Sequence, residues 1–221
     1  RVMRIAYINP NATTAMTDSV VGVVQSIAGD TEIVGYTNLN GPPAIQGPED
    51  GAASIPGVLA LVDIAVTEGA DAIIIACFDD TGLDDACAKS SVPVLGIGQA
   101  AYAMASLLGK RFSVVTSLAV SIPVIEENIA KSQFGAACAG VHASGLPVLV
   151  IEEGSAATRE KLASAIRTTL TSDQVDTVIL GCAGMAGLLD DLRLRTTGRL
   201  IDGVRASFAL AGALVSVSIR D

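Results

Sequence analysis

The chain has 221 residues, is half apolar and carries a net charge of −9. A chain of this length buries roughly 70 to 75% of its unfolded surface, which permits one large core or two smaller ones. The acidic balance argues against a nucleic-acid partner, because phosphate binding needs clustered basic residues and the fourteen here are scattered. No apolar run approaches the roughly 18 residues that span a bilayer. No N-terminal segment resembles a secretion signal, so we expect a cytoplasmic protein with no membrane partner.

The first half of the chain alternates predicted strands and helices. In order, these are a strand at 2–10, a helix at 13–28, a strand at 31–37, a loop at 41–51, a helix at 52–69 and a strand that opens at Asp71 and ends at Cys77. The loop holds three prolines and three glycines, and its length suggests a lid or the mouth of a site. Thr81 to Asp84 has the form of a capping box, which places Cys77 a few residues before a helix.

The second half repeats the alternation. Its predicted elements are strands at 92–97, 111–118, 176–182 and 199–203, strand material within 141–151, and helices at 99–108, 122–132, 156–170 and 204–217. Strands that alternate with helices predict an α/β fold in which parallel sheets have helices on both faces.

An internal repeat relates the two halves. Residues 71–79 (DAIIIACFD) and 176–184 (DTVILGCAG) both open with Asp and carry a cysteine six positions later. Residues 4–11 (RIAYINPN) correspond to 111–118 (RFSVVTSL), since each is a short strand that runs into polar loop residues and then a helix. The repeat is too long for a solenoid unit. We therefore expect two pseudo-symmetric lobes, each a parallel four-stranded sheet flanked by helices, with Cys77 and Cys182 at matching places.

The remaining cysteines and the one histidine suggest no metal site. Cys87 and Cys138 form no CxxC pair with each other or with the repeat cysteines, and His142 completes no ligand set. A disulfide framework is not expected in a chain of this length without export signals. We expect Cys87 and Cys138 to be buried packing residues.

Polar and thiol side chains follow several predicted strands. Asn9, Cys77, Thr116, Ser117 and Cys182 all fall at carboxyl ends, where ligands of parallel sheets bind. If the lobes face each other about a pseudo-twofold axis, these residues converge on one cleft. The two thiols would then face each other across a ligand.

Several motifs resemble those of hydantoin racemase and allantoin racemase, members of the aspartate/glutamate racemase superfamily. They are NPNATTAMT, ACFDDTGLD, RFSVVTS, SIPVIEE and LGCAGM followed by IDG. The resemblance covers essentially the whole chain and implies a cofactor-independent racemase of 5-substituted hydantoins, with its active site in the cleft between lobes. It implies that Cys77 and Cys182 are the catalytic pair. It also implies a homo-oligomer, a tetramer or hexamer, and lobes formed by residues 1–97 plus 204–221 and by 98–203.

Two thiols suit this chemistry. The C5 proton of a hydantoin lies next to a ring carbonyl, so its removal leaves an enolate, and inversion requires a proton donor on the opposite face. A free thiol of pKa about 8.5 is already partly ionised near neutrality. Amide, hydroxyl and backbone donors would hold the carbonyl oxygens of this cyclic ureide. The predicted substrate-binding residues are Asn9, Phe78, Thr116, Ser117, Ala183 and Gly184.

The residues after each cysteine bear on the substrate. Racemases of free aspartate or glutamate in this superfamily carry Asn-Thr and Thr-His there, whereas this chain carries Phe78-Asp79 and Ala183-Gly184, which favours a neutral ring with an apolar substituent. The first motif also departs from the CFGDP of hydantoin racemases, because Asp79 replaces Gly and Thr81 replaces Pro. We expect the paired acids Asp79 and Asp80 to be helix-start charges on a solvated face.

Three alternatives stay open on the sequence. The first is an allantoin racemase of purine catabolism, since allantoin is itself a 5-substituted hydantoin. The second is a lyase resembling arylmalonate decarboxylase, which is expected to use one of the two thiols, so the presence of Cys77 counts against it. The third is a non-catalytic small-molecule-binding protein in which neither cysteine matters.

Overall fold

The strands form two separate parallel sheets. A computed structural model describes residues 1–109 and 111–218. The first sheet contains β1 (Arg4–Asn9), β2 (Glu32–Thr37), β3 (Ala72–Ile75) and β4 (Val94–Gly96), in the order β2-β1-β3-β4. The second contains β5 (Phe112–Thr116), β6 (Cys138–Ala143), β7 (Thr177–Gly181) and β8 (Arg199–Asp202), in the order β6-β5-β7-β8. The two parallel four-stranded sheets are confirmed, and their identical strand order is the repeat seen in the sequence.

Helices cover the faces of both sheets. Within the described residues they are α1 (Thr14–Gln25), α2 (Pro48–Thr67), α3 (Leu83–Lys89), α4 (Ile97–Leu107), α5 (Ile122–Lys131), α6 (Val148–Glu153), α7 (Ala156–Ser172), α8 (Leu189–Arg195) and α9 (Gly203–Ser218). A short 3-10 helix, Ala183–Leu188, follows β7.

Strand β3 shows why the central strands are apolar at every position. Ile73 and Ile75 lie in an apolar cluster with α2, whereas Ile74 faces a core that also contains Phe112 and Ile179 of the second sheet. Successive side chains of a strand point to opposite faces, so a strand that is covered on both sides has no polar face. Burial of each such side chain contributes about 1.5–3 kcal/mol.

The C-terminal helix joins the two sheets. Helix α9 packs against α4 and contacts strands of both sheets, among them β3, β4, β7 and β8. The sheets themselves divide between β4 and β5. The lobe boundaries, residues 1–97 plus 204–221 and 98–203, stay a prediction, and residues 110 and 219–221 lie outside the described part of the chain.

Two helix starts differ from the sequence prediction. The predicted capping box is wrong, because α3 begins at Leu83 after Gly82, which has a left-handed φ of 71° and no side-chain cap. The predicted strand material at 141–151 is wrong after Ala143, because Pro147 is the N-cap of α6. Proline has no backbone N–H to donate to a ladder but is tolerated where a helix starts.

Helix α2 is long and apolar. Among residues 1–109 and 111–218 it is the one helix whose length and composition alone would allow it to cross a membrane. Its Val58, Val62 and Ala65 are fully buried against the first sheet, as expected for a helix that packs on a core. Asp63 interrupts the apolar run of this helix. That the protein has no membrane partner stays a prediction.

Candidate active site

The strand order places one crevice on each sheet. In both sheets the order reverses between the first and third strands of the repeat, at β1/β3 and at β5/β7. Ligands of open parallel sheets bind outside the carboxyl ends of strands at such a point. Cys77 follows the end of β3 and Cys182 follows the end of β7, so each cysteine lies at the switch point of its own sheet.

A small cavity brings the two switch points together. It has a volume of about 30 Å³, and both Cys77 and Cys182 line it; we call it the thiol cavity. This volume exceeds the roughly 10–15 Å³ that a single water needs but is far below the roughly 300–1,000 Å³ of small-molecule sites. The thiol cavity of this structure is therefore too small for a hydantoin ring and would have to widen to admit one.

The two cysteines begin equivalent turns. The carbonyl of Cys77 accepts a hydrogen bond from the N–H of Asp80, and that of Cys182 accepts one from Met185, both at 3.0 Å. The sulfur of each cysteine also accepts the N–H two residues further on, which belongs to Asp79 in the first half and to Gly184 in the second. The repeat thus extends to the hydrogen bonds around each thiol.

Burial raises the pKa of both thiols. For Cys77 burial is the larger cause, and the nearby Asp79 carboxylate adds to it, while hydrogen bonds from Thr81 and the Asp79 N–H oppose it. For Cys182 burial raises the pKa to about 12, with further contributions from Asp79 and Glu152 and opposition from the Gly184 N–H. Both thiols are therefore harder to ionise in this state of the cavity than a free thiol is.

Asp79 is a partly buried acid of the thiol cavity. Its Oδ2 accepts a hydrogen bond from the Ser121 hydroxyl at 3.3 Å, and its backbone carbonyl accepts one from the Asn128 amide at 2.9 Å. Burial raises the pKa of Asp79 to about 6, although the bond from Ser121 opposes the shift. The expectation that Asp79 lies on a solvated helix start is wrong, because no helix begins at this turn.

Asp80 is also turned inward, away from the thiol cavity. Its two carboxyl oxygens accept the N–H groups of Gly98 and Gln99 at 2.9 and 2.8 Å, at the N-terminus of α4. Burial outweighs these bonds and raises the pKa of Asp80 to about 8. A Cβ at position 98 would lie 2.4 Å from the Phe78 carbonyl, so glycine is needed for this close approach. Asp80 thereby links the turn that follows Cys77 to α4. The expectation that Asp80 is a helix-start charge on a solvated face is therefore wrong as well.

Four of the six predicted substrate-binding residues line the thiol cavity. They are Phe78, Thr116, Ser117 and Ala183. The Thr116 hydroxyl donates to the Gly181 carbonyl at 2.9 Å, so its proton is already engaged. Within the described residues the Ser117 hydroxyl has no hydrogen-bond partner and is the freer donor. The roles of these residues in binding stay predictions.

The other two predicted binding residues lie outside the lining. The Asn9 amide donates to Asn11 Oδ1 at 2.9 Å and to Thr17 Oγ1 at 3.0 Å, so it holds the turn after β1. The Gly184 N–H is directed at the Cys182 sulfur. The thiol cavity is lined instead by Asn11, whose amide donates to the Met16 sulfur at 3.4 Å.

Sequence reasoning missed several lining residues. Those absent from the predicted site are Asn11, Met16, Ile45, Ala76, Asp79, Ser121, Val148 and Gly181. Ile45 belongs to the proline- and glycine-rich loop, and Asp79 departs from the family motif. Either feature of the sequence could have identified the residue as part of the site. Val148 carried none, because its segment was predicted as strand.

The loop before α2 crosses the cleft. The Val148 N–H donates to Gln46 Oε1 at 3.1 Å, and a Cβ at Gly47 would lie 2.7 Å from Val120 Cγ2. Ile45, between these contacts and the thiols, is buried. The loop therefore contacts two segments of the second half and covers the thiol cavity, in agreement with a lid or mouth.

The remaining titratable groups lie outside the thiol cavity. His142 Nε2 lies 2.6 Å from Asp173 Oδ2, which also accepts the Ser113 hydroxyl at 2.6 Å. Cys138 is partly buried and Cys87 is exposed, so the prediction that Cys87 is a buried packing residue is wrong. No group of three or more His, Cys, Asp or Glu within residues 1–109 and 111–218 could hold a metal ion.

Known proteins share this architecture along its whole length. A family model described as Asp/Glu/Hydantoin racemase matches residues 5–211. A hydantoin racemase of Rhizobium meliloti is 38% identical over 216 residues, which cover 96% of this chain and 89% of that protein. An allantoin racemase structure from Klebsiella pneumoniae has a TM-score of 0.92 at 35% identity, covering 98% of this chain and 89% of that one. The allantoin racemase structure from Pseudomonas fluorescens has a TM-score of 0.93 at 32% identity, covering 98% and 92%.

Proposed function

Since the chain belongs to the Asp/Glu/hydantoin racemase family, we propose that it racemises 5-substituted hydantoins at C5 by two-base proton transfer between cysteine thiols, without a cofactor. The observation that carries the proposal is the thiol cavity, which Cys77 and Cys182 line from equivalent turns of the two sheets. Relatives that are named hydantoin racemase and allantoin racemase support racemase activity, and the two-cysteine mechanism is proposed for this chain.

The proposed reaction moves two protons. The thiolate of one cysteine takes the hydrogen of C5 and becomes a thiol, and the electron pair of the broken C–H bond spreads over the adjacent carbonyl as an enolate. The thiol of the other cysteine then gives its proton to the opposite face of C5 and becomes the thiolate. The product has the opposite hand, and the charge of the pair is unchanged. Cys77 and Cys182 exchange roles for the opposite enantiomer.

The turns supply part of the stabilisation that a buried thiolate needs. Each sulfur accepts one backbone N–H, from Asp79 or from Gly184. A hydrogen bond to the charged form of a group favours that form and so opposes the effect of burial. Burial has the opposite effect, because removal of water disfavours the charged form of a thiol. These backbone bonds lower the free-energy cost of forming the thiolate base in the cavity.

Binding of the ring is assigned to neutral donors. Ser117 and Asn11 reach the thiol cavity with side chains that can bond to carbonyl oxygens, and Phe78 and Ala183 contribute backbone at its walls. Donors aimed at a developing enolate oxygen stabilise the transition state more than the ground state. The proposal also keeps a cytoplasmic location, a homo-oligomer and lobes 1–97 plus 204–221 and 98–203 as expectations.

Polarimetry on a panel of hydantoins tests the proposal. Purified protein should abolish the optical rotation of single enantiomers of benzylhydantoin, isopropylhydantoin or allantoin, and the Cys77→Ala/Cys182→Ala double variant should not. Stable rotation of every substrate with wild-type protein would end the proposal and favour a non-catalytic binding protein. Release of carbon dioxide from arylmalonates would favour the lyase.

A further inference from the structure

A carboxyl group lies in a cavity whose other polar groups are neutral. Asp79 lines the thiol cavity together with amide and hydroxyl side chains, those of Asn11, Thr116, Ser117 and Ser121. No lysine, arginine or histidine is among the described residues of this lining. An ionised carboxylate that is buried without a counter-charge needs hydrogen-bond donors from elsewhere.

The position of the Asp79 carboxyl is fixed by the opposite half of the molecule. The side-chain amide of Asn128, in α5, donates a hydrogen bond to the backbone carbonyl of Asp79 at 2.9 Å. The hydroxyl of Ser121, just before α5, donates to Oδ2 of Asp79 at 3.3 Å. Both contacts cross from the second half to a turn that follows β3. The backbone of Asp79 and one of its carboxyl oxygens are thereby tied to the second half at the cavity wall.

Much of the hydrogen-bonding capacity of the group is unused. A carboxylate offers about four acceptor positions on two oxygens. The long bond from Ser121 occupies one of them, and within residues 1–109 and 111–218 the side chain has no ion pair or second hydrogen bond. The free acceptor positions are available to a molecule in the cavity.

On the basis of the function proposed above, we propose that the Asp79 carboxyl determines which C5 substituents the thiol cavity accepts. It favours substituents that carry N–H donors or a positive charge over apolar substituents of the same size. A donor-bearing substituent completes the hydrogen bonds of the carboxylate. An apolar substituent displaces water from the carboxylate and offers no hydrogen bond in its place. The binding affinity therefore falls with each hydrogen bond that the carboxylate loses.

The charge of Asp79 links substituent binding to the thiols. The carboxylate raises the pKa of both Cys77 and Cys182. A cation that pairs with the carboxylate cancels this repulsion and an N–H donor weakens it, so the thiolate that starts the reaction forms more readily in the complex. The same contact thus improves binding and increases the fraction of reactive base.

The test compares substituents of matched shape. A ureido group and an isobutyl group have the same branched arrangement of non-hydrogen atoms, but only the ureido group carries N–H donors. Rates of racemisation are measured for three substrates, namely 5-ureidohydantoin (allantoin), 5-isobutylhydantoin and 5-(2-aminoethyl)hydantoin. Each substrate is tested with wild type, Asp79→Asn, Asp79→Gly and the control Asp85→Asn. Asp85 is exposed in the first turn of α3, so its variant removes an acid outside the thiol cavity.

We expect wild-type kcat/KM to be about 10- to 100-fold higher for the ureido and aminoethyl substrates than for the isobutyl one. Both Asp79 variants should lower this ratio at least about tenfold, and Asp85→Asn should leave it unchanged. An unchanged ratio in folded Asp79→Asn and Asp79→Gly, or an equal loss for all three substrates, overturns the inference. A wild-type racemase that prefers the isobutyl substrate overturns the inference alone, whereas a wild-type protein that racemises none of them overturns the proposed function.

Discussion

The hydroxyl of Thr81 donates a hydrogen bond to the sulfur of Cys77 at 3.4 Å. Within the described chain no side chain does the same for Cys182, although the backbone turns at the two cysteines match. The pair is therefore symmetric in its backbone and asymmetric in its side-chain donors. The asymmetry arises at Thr81, where this sequence departs from the CFGDP motif that it otherwise resembles.

Replacing Thr81 by valine should lower the reactivity of the Cys77 thiol and leave that of Cys182 unchanged. Loss of the donor raises the pKa of the Cys77 thiol, so its alkylation by iodoacetamide at pH 8 should slow by roughly tenfold while that of Cys182 is unchanged. Mass spectrometry of the labelled peptides measures both rates in one sample. The kcat/KM of racemisation should fall by the same factor in both directions, because the equilibrium constant between the enantiomers is one. Thr81→Ser keeps the hydroxyl and is the control; equal slowing in Thr81→Ser would contradict the role of the bond.

The sequence predicted the repeat and its consequences well. Strands that end at Cys77 and Cys182 could be recognised because they are short, apolar throughout and preceded by Asp. The pairing of like strands in two sheets then follows from right-handed strand–helix alternation. Which of Asn9 and Asn11 lines the cavity could not be predicted, because both belong to the same turn. The hydrogen bond of Asn9 to Thr17 turns the Asn9 side chain away from the cavity.

The two acids after Cys77 show the limit of local reasoning. An Asp pair before a polar segment usually marks a helix start on the surface. Asp80 instead accepts N–H groups of α4, which lies about twenty residues later in the chain, and Asp79 is held by residues from α5 and the turn before it. Such contacts depend on packing between distant elements, which periodicity does not encode.

Replacing Asp79 by asparagine should lower the pKa of both thiols. Burial is the larger cause of their raised values, so the shift is partial, but it affects Cys77 and Cys182 together. In wild type the repulsion grows as pH rises through about 6, where Asp79 loses its proton. In the variant the alkylation–pH profiles of both cysteines should move to lower pH. A shift confined to one cysteine would show that the carboxylate acts on that thiol only.

A side chain at position 47 should hinder closure of the lid. Gly47 has a φ of 104°, which L residues rarely adopt, and an added Cβ would lie 2.7 Å from Val120 Cγ2. Gly47→Ala should therefore lower kcat/KM for any accepted hydantoin by roughly 10- to 100-fold, because closure positions the ring between the thiols. Steady-state kinetics measure this loss.

The control for that prediction is Gly22→Ala. Gly22 lies inside α1, and no heavy atom lies within 4 Å of its added Cβ, so alanine should raise the free energy of unfolding by about 0.5–1 kcal/mol without changing kcat/KM. A Gly47→Ala protein with wild-type kinetics would mean that the loop does not have to close on the substrate.

Ionisation of Asp80 should reduce stability as pH rises. Its folded pKa of about 8 is above the unfolded value of about 3.9, so the stabilisation is complete below about pH 4 and is lost as pH rises through about 8. Asparagine cannot accept both N–H bonds, because its NH₂ group is a donor only, whereas the hydroxyl oxygen of a protonated carboxyl can still accept one. Wild type should be more stable than Asp80→Asn at pH 5, and the difference should shrink at pH 8. Urea unfolding at both pH values checks this, and a difference that grows with pH would contradict the raised pKa.

Hydrogen–deuterium exchange at C5 in the single variants Cys77→Ser and Cys182→Ser tests the two-base mechanism most directly. NMR follows each enantiomer of one racemised hydantoin separately in D₂O. Each variant should exchange the C5 proton of one enantiomer with retention of configuration, the two variants should choose opposite enantiomers, and neither should racemise. Full racemase activity in either variant, or loss of exchange with both enantiomers in both variants, would contradict the account.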